Sequence, residues 1–132
     1  MKEVLAVIRM DKINPTKAAL AEAGFPALTA AKVMGRGSRP VDYELRRALL
    51  DDAAPQPEVV ATLAQGPRLV AKRLLSLVVP DEAVSSVVKT LIAANRTGNP
   101  GDGKIFVLPV HDAARVRTAE IGAAAIDEMA SC

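Results

Sequence analysis

What most constrains this chain is a strand, a helix and a strand met twice, with a long segment of different character between them. KEVLAVIR, at Lys2–Arg9, is an apolar, β-branched run of strand length. Asn14-Pro15 then predicts a helix start, with Asn as the cap and Pro in the first turn, and TKAALAEA supplies strong helix formers up to Gly24, a glycine placed to end the helix. Residues 27–34 (ALTAAKVM) read as a second extended segment. From residue 35 to about 69 the pattern is lost. GRGSRP gives way to a helix-like piece, DYELRRALLDD, and to AAPQPEVVATLAQGPR, and a segment of this kind is usually functional or mobile. VAKRLLSLVV, at Val70–Val79, is the third strand. Pro80, Asp81 and Glu82 open a second helix with a stripe at Val84, Val87, Val88, Leu91 and Ile92. A glycine-rich loop, TGNPGDG, precedes a fourth strand, KIFVLPV, in which Pro109 marks an edge or an end.

This order predicts an α+β domain, the ferredoxin-like βαββαβ sandwich, with an antiparallel four-stranded sheet and both helices on one face. At 132 residues the chain is one domain. The other sheet face needs cover, and in a chain this small self-association supplies it, so an oligomer is expected.

Composition removes several function classes. With two Phe, one Tyr and no Trp there are few rings on which bases could stack, which argues against a nucleic-acid partner. Net charge is only +2, so no general attraction to polyanions follows. One cysteine, Cys132, and one histidine, His111, make neither an intrachain disulfide nor a metal cluster. The start of the chain has too short an apolar run for a signal-peptide core, and no run approaches a membrane span, so a cytoplasmic protein without membrane insertion is expected. No nucleophile motif accompanies His111, and Asp51-Asp52 and Asp81-Glu82 sit at helix ends, where capping accounts for them, so no catalytic residue is expected.

Chemistry concentrates in Thr97, Gly98, Asn99, Pro100, Gly101, Asp102, Gly103 and Lys104. Glycines let successive N–H groups converge on an anion and lysine adds a charge, the logic of a phosphate cradle; a plain turn has the same composition. It is not a Walker A loop, because Ile105 stands where Ser or Thr would hold magnesium. Arg115 and Arg117 have period-2 spacing, which predicts both guanidinium groups on one strand face, as phosphate ligands or as a solvated edge. Gly35, Arg36 and Gly37 carry the same ambiguity.

TGNPGDGKIFVLPV followed by RVRTAE resembles the B-loop and C-loop signatures of the nitrogen-regulatory P-II signal-transduction family, TGxxGDGKIFV and RxRT. MKEVLAVIR and ALAEAGFPALTAAKVMGRG are similar to that family's first strand, helix and second strand, and VVPDE to the entry of its second helix; the likeness covers residues 1–47 and 72–120. The resemblance implies a trimer binding ATP or ADP in clefts between subunits. Gly101, Asp102, Gly103 and Lys104 would line the phosphates, with Arg115 and Arg117 closing on them from a C-loop that, with the tail, spans about 113–132. Thr29, Gly35 and Val78 would border the adenine with Val7 nearby, Arg36 and Gly37 would adjoin them, and residues from about 37 to 69 would form a flexible T-loop that docks on targets.

Departures from the pattern carry information. Arg39 stands where the family has a glutamine that helps hold Mg2+ and 2-oxoglutarate, whereas Lys72 matches the lysine that pairs with a 2-oxoglutarate carboxylate, so that ligand would need help from a partner subunit. Tyr43 is not at the usual modification site. The long arm beginning GRGSRPVDYELRR is similar to the nitrogenase-regulating branch, second paralogue, which implies a dinitrogenase component as target and a homotrimer or a hetero-oligomer with a P-II paralogue. An ammonium transporter or a nitrogen-assimilation enzyme is the alternative target.

Overall fold

The computed structural model describes residues 1–37 and 69–129. Expectations placed on Arg39, Tyr43, the DYELRRALLDD piece, the greater part of the T-loop and Cys132 lie outside the described residues. The chain divides into two compact units, Met1–Val33 with Lys72–Cys132, and Met34–Ala71. Described residues of the second unit include the exposed Met34, Leu69 and Val70.

Four strands, β1 (Lys2–Arg9), β2 (Thr29–Gly35), β3 (Val70–Val79) and β4 (Lys104–Pro109), form one sheet in the order β2-β3-β1-β4. β1 runs antiparallel to both β3 and β4, which is the predicted ferredoxin-like sandwich. Two helices, α1 (Ile13–Glu22) and α2 (Val84–Asn95), follow β1 and β3.

Side chains of a strand alternate between faces, and residues paired across antiparallel strands share a face. Val4, Ala6 and Ile8 of β1 are buried, as are Leu75, Leu77 and Val79 of β3, and these form the core with Leu20 of α1, Phe25, and Val87 and Leu91 of α2. The opposite face carries Leu5 against Ser76 and Phe106, Val7 against Leu74 and Lys104, and Arg9 against Lys72. That face stays half-open among the described residues, with Phe106 49% exposed, and it is the surface for which cover was expected.

Gly24 ends α1 as predicted, at φ +97°. Its N–H donates to the Ala21 carbonyl at 3.1 Å and that of Phe25 to the Leu20 carbonyl at 2.8 Å, a Schellman pair, and the fully buried Phe25 anchors it. The start of the helix differs from expectation. The chain leaves β1 through a 3-10 turn, Met10–Lys12, and Lys12 is already helical, so α1 begins at Ile13 with no side-chain cap and Asn14 lies inside the first turn. α2 is also entered through a 3-10 turn, Asp81–Ala83. There the chain's own N-terminal amine, 2.9 Å from Asp81, and secondarily Lys2, hold the Asp81 carboxyl below the usual carboxylate range.

The helices meet around a buried polar pair. Asn95 Nδ2 donates to Thr16 Oγ1 at 3.0 Å and to the Leu91 carbonyl at 2.9 Å, and the Thr16 hydroxyl donates to the Lys12 carbonyl at 2.6 Å. Thr16→Val keeps the shape and removes the acceptor, and is expected to cost about 1–3 kcal/mol, the range for stranding a buried polar group. Thr16→Val with Asn95→Leu, in which both partners become apolar, is expected to recover most of it. Thermal melts at one protein concentration read both variants, and a double variant no better than the single would refute the account.

Candidate functional site

The loop between α2 and β4 is built around one carboxylate. Asp102 Oδ2 accepts from the N–H groups of Thr97 and Gly98 at 2.8 and 3.0 Å, and Oδ1 accepts from the Thr97 hydroxyl. Arg9 completes the set, with Nε and Nη2 at 3.4 and 3.3 Å from Oδ1. The Thr97 hydrogen bonds first, then that of Gly98 and the Arg9 guanidinium, hold this carboxyl well below the usual carboxylate range, so it is ionised at neutral pH.

Two further donors fasten the loop to the sheet. Arg9 Nη2 donates to the Pro100 carbonyl at 2.9 Å, and Lys72 Nζ donates to the Gly101 carbonyl at 2.8 Å. Arg9 and Lys72 are cross-strand neighbours. Partial burial, then the charge of Arg9, lower the Lys72 ammonium from its ordinary value, with Asp102 and Asp11 opposing.

Gly103 has φ +109°, and a Cβ there would lie 1.8 Å from the Val7 carbonyl oxygen, so only glycine lets the loop come this close to β1. Lys104 follows and is exposed. Together with α2, the loop borders a cleft of about 460 Å³ lined by Val7, Val88, Ile92 and Ile105, with Arg96 and Lys104 among its polar residues. This volume lies in the range of small-molecule sites.

Of the residues singled out from sequence, the structure brings together Val7, Lys72, Gly101, Asp102, Gly103 and Lys104. Thr29 lies on β2 and Val78 on β3 opposite Glu3, and neither lines this cleft. Gly35 ends β2, and Arg36 and Gly37 follow it in the second unit.

The expectation for Arg115 and Arg117 is corrected. They share no strand face, because the segment pairs through a single bridge, Ala114 to Ile121, and turns between them. The Arg115 N–H donates to the Glu120 carbonyl at 2.8 Å, and Ala119 takes φ +61° at the turn. The Arg115 guanidinium is held by Asp127, by Glu128 at 2.8 Å and by Glu120 at 3.3 Å. These carboxylates bring in the tail, whose 3-10 segment Gly122–Met129 buries Ile126 and Met129. Arg117 is exposed.

Sequence reasoning gave no role to Arg9. Its pattern signal is faint: it continues the alternation of Glu3, Leu5 and Val7 onto the face from which Lys72 also rises. Among the described residues no three or more His, Cys, Asp or Glu side chains are placed to hold a metal ion. No helix there is long and apolar enough to cross a membrane.

Residues 1–120 match the family model for nitrogen regulatory protein P-II. A protein of Methanobacterium ivanovii called nitrogen fixation nifHD region GlnB-like protein 2 is 45% identical over 127 residues, covering 96% of this chain and 99% of its own. The Methanosarcina barkeri protein called nitrogen fixation nifHD1 region GlnB-like protein 2 is 42% identical over 128 residues, with 96% and 99% covered. Among solved structures, Arabidopsis thaliana PII bound to citrate superposes with a TM-score of 0.69 at 35% identity, covering 94% of this chain and 90% of that one.

Proposed function

Because this chain belongs to the nitrogen regulatory protein P-II family, we propose that it is a ligand-gated signal-transduction regulator that binds ATP or ADP beside the loop at residues 97–104 and acts on its target by protein-protein contact. The observation that carries the reading is the loop itself. Gly103 seated on the Val7 carbonyl brings backbone, Lys104 and an apolar cleft into one place. Aliphatic walls hold a base without stacking rings, and a lysine with oriented N–H groups neutralises phosphate. The reaction class is binding, not catalysis.

The assembly proposed is a trimer closed over the open sheet face, alone or with a P-II paralogue. The target proposed is the dinitrogenase component of nitrogenase, a reading supported by the nitrogen fixation names of the similar archaeal proteins. A 2-oxoglutarate carboxylate would pair with Lys72, whose present tie to the Gly101 carbonyl would connect such a ligand to the nucleotide loop, and Mg2+ would be held by the ligands' own oxygens.

Calorimetry with ATP and ADP tests the nucleotide reading, and an unmodified trimer that binds neither overturns it. Lys104→Ala is expected to weaken ATP binding by about tenfold or more, as loss of a charge-assisted phosphate contact should. Because Lys104 is exposed, its melting temperature is expected to stay within about 2 °C of the parent. Co-purification with dinitrogenase in the presence and absence of ATP and 2-oxoglutarate tests the target.

A further inference from the structure

We infer that Arg9 is a positioning residue for the phosphate loop, acting on ligand through the backbone it holds; this rests on the nucleotide reading above. A trans peptide carries its C=O and N–H on opposite sides, and there is no cis peptide bond among the described residues. With the Pro100 carbonyl captured by Arg9, the N–H of Gly101 faces away from that side chain. With the Gly101 carbonyl captured by Lys72, the N–H of Asp102 faces away from the ammonium. Neither N–H meets an acceptor among the described residues. Two successive free donors in a stretch of positive-φ glycines, Gly101 at +101° and Gly103 at +109°, make an anion-binding concavity.

Arg9 has a second part in this. A carboxylate beside a phosphate site repels its ligand unless its charge is taken up, and Asp102 is held by Arg9 as well as by Thr97 and Gly98. The fit is close. A Cβ at Gly101 would stand 3.2 Å from Arg9 Nη2 and 3.4 Å from Cζ, so the glycine leaves room for the guanidinium. With Nε and Nη2 engaged by Asp102 and Pro100, Arg9 acts as a support for the loop.

Arg9→Gln and Arg9→Lys separate this from general stability. Arg9→Gln is expected to speed exchange of the Thr97 and Gly98 amides, which the Asp102 carboxylate holds, while leaving exchange of core β1 and β3 amides within about twofold of the parent, and to weaken ATP binding about tenfold or more. Arg9→Lys, which keeps a charged donor, is expected to retain most of the affinity. Exchange raised uniformly through the sheet, or an unchanged loop, overturns the inference, as does full ATP affinity in Arg9→Gln. If the parent protein binds no nucleotide, the functional reading fails by itself, and the loop-specific exchange still decides whether Arg9 orders this backbone.

Discussion

Gly103→Ala is expected to destabilise the protein by at least about 3 kcal/mol and to lower its melting temperature by roughly 10 °C, for a domain of this size. The added Cβ would meet the Val7 carbonyl oxygen at 1.8 Å and its carbon at 2.9 Å, and the residue would have to hold φ +109°. Neither atom can give way, because β1 is hydrogen-bonded to β3 on one side and β4 on the other. The loop must therefore lift, taking with it the first pairing of β4, Lys104 with Val7. ATP affinity is expected to fall below detection in the same variant. Gly98→Ala is the control: its φ is +84° but nothing lies within 4 Å, so it bears backbone strain alone, about 1 kcal/mol. Melts of the two at equal protein concentration would sink the argument if Gly103→Ala proved no worse than Gly98→Ala.

How much of this was legible beforehand depends on the range of each determinant. β1 and β3 fall on the predicted residues because their apolar runs are long and bounded by charge or proline. Gly24 was legible for a local reason: its positive φ closes a motif contained within six residues. The start of α1 departs from expectation because Asn14-Pro15 is a good cap pair, while the competing 3-10 turn at Met10–Lys12 has no sequence signal of its own. The spacing of Arg115 and Arg117 predicts a strand pair, but Asp127 and Glu128, twelve and thirteen residues beyond Arg115, recruit its guanidinium and the backbone turns. Nothing in a two-residue period reports on an acid in the tail.

The candidate site shows the same division. TGNPGDGK announced itself, since its glycines and lysine are contiguous. Arg9 lies 91 residues from Pro100 and 93 from Asp102, and only the β1–β4 register brings them together. The partners of Asp102 likewise come from outside its own motif as well as from within it. Its oxygens accept from Thr97, Gly98 and Arg9.

Leu5→Asp is expected to convert the proposed trimer to the 13.8 kDa subunit, read as molar mass by light scattering at low micromolar concentration. Leu5 sits mid-face on the central strand β1, flanked by Ser76 and Phe106, with Val7, Leu74, Val78 and Leu108 on the same side of the sheet. Phe106 and Leu108 are 49% and 38% exposed in the single chain, an apolar surface that the proposed trimer would cover. An aspartate there would be an unpaired charge buried once per subunit, at an effective cost of several kcal/mol each, more than such an interface can absorb. The helical core lies on the other side of the sheet, so the substitution attacks association first. Phe106→Ser, at the edge strand, is expected to weaken assembly less. With the nucleotide proposed to sit between subunits, Leu5→Asp is also expected to lose ATP affinity with Lys104 intact. A Leu5→Asp protein that keeps the mass of the parent would show that the sheet face is not the interface.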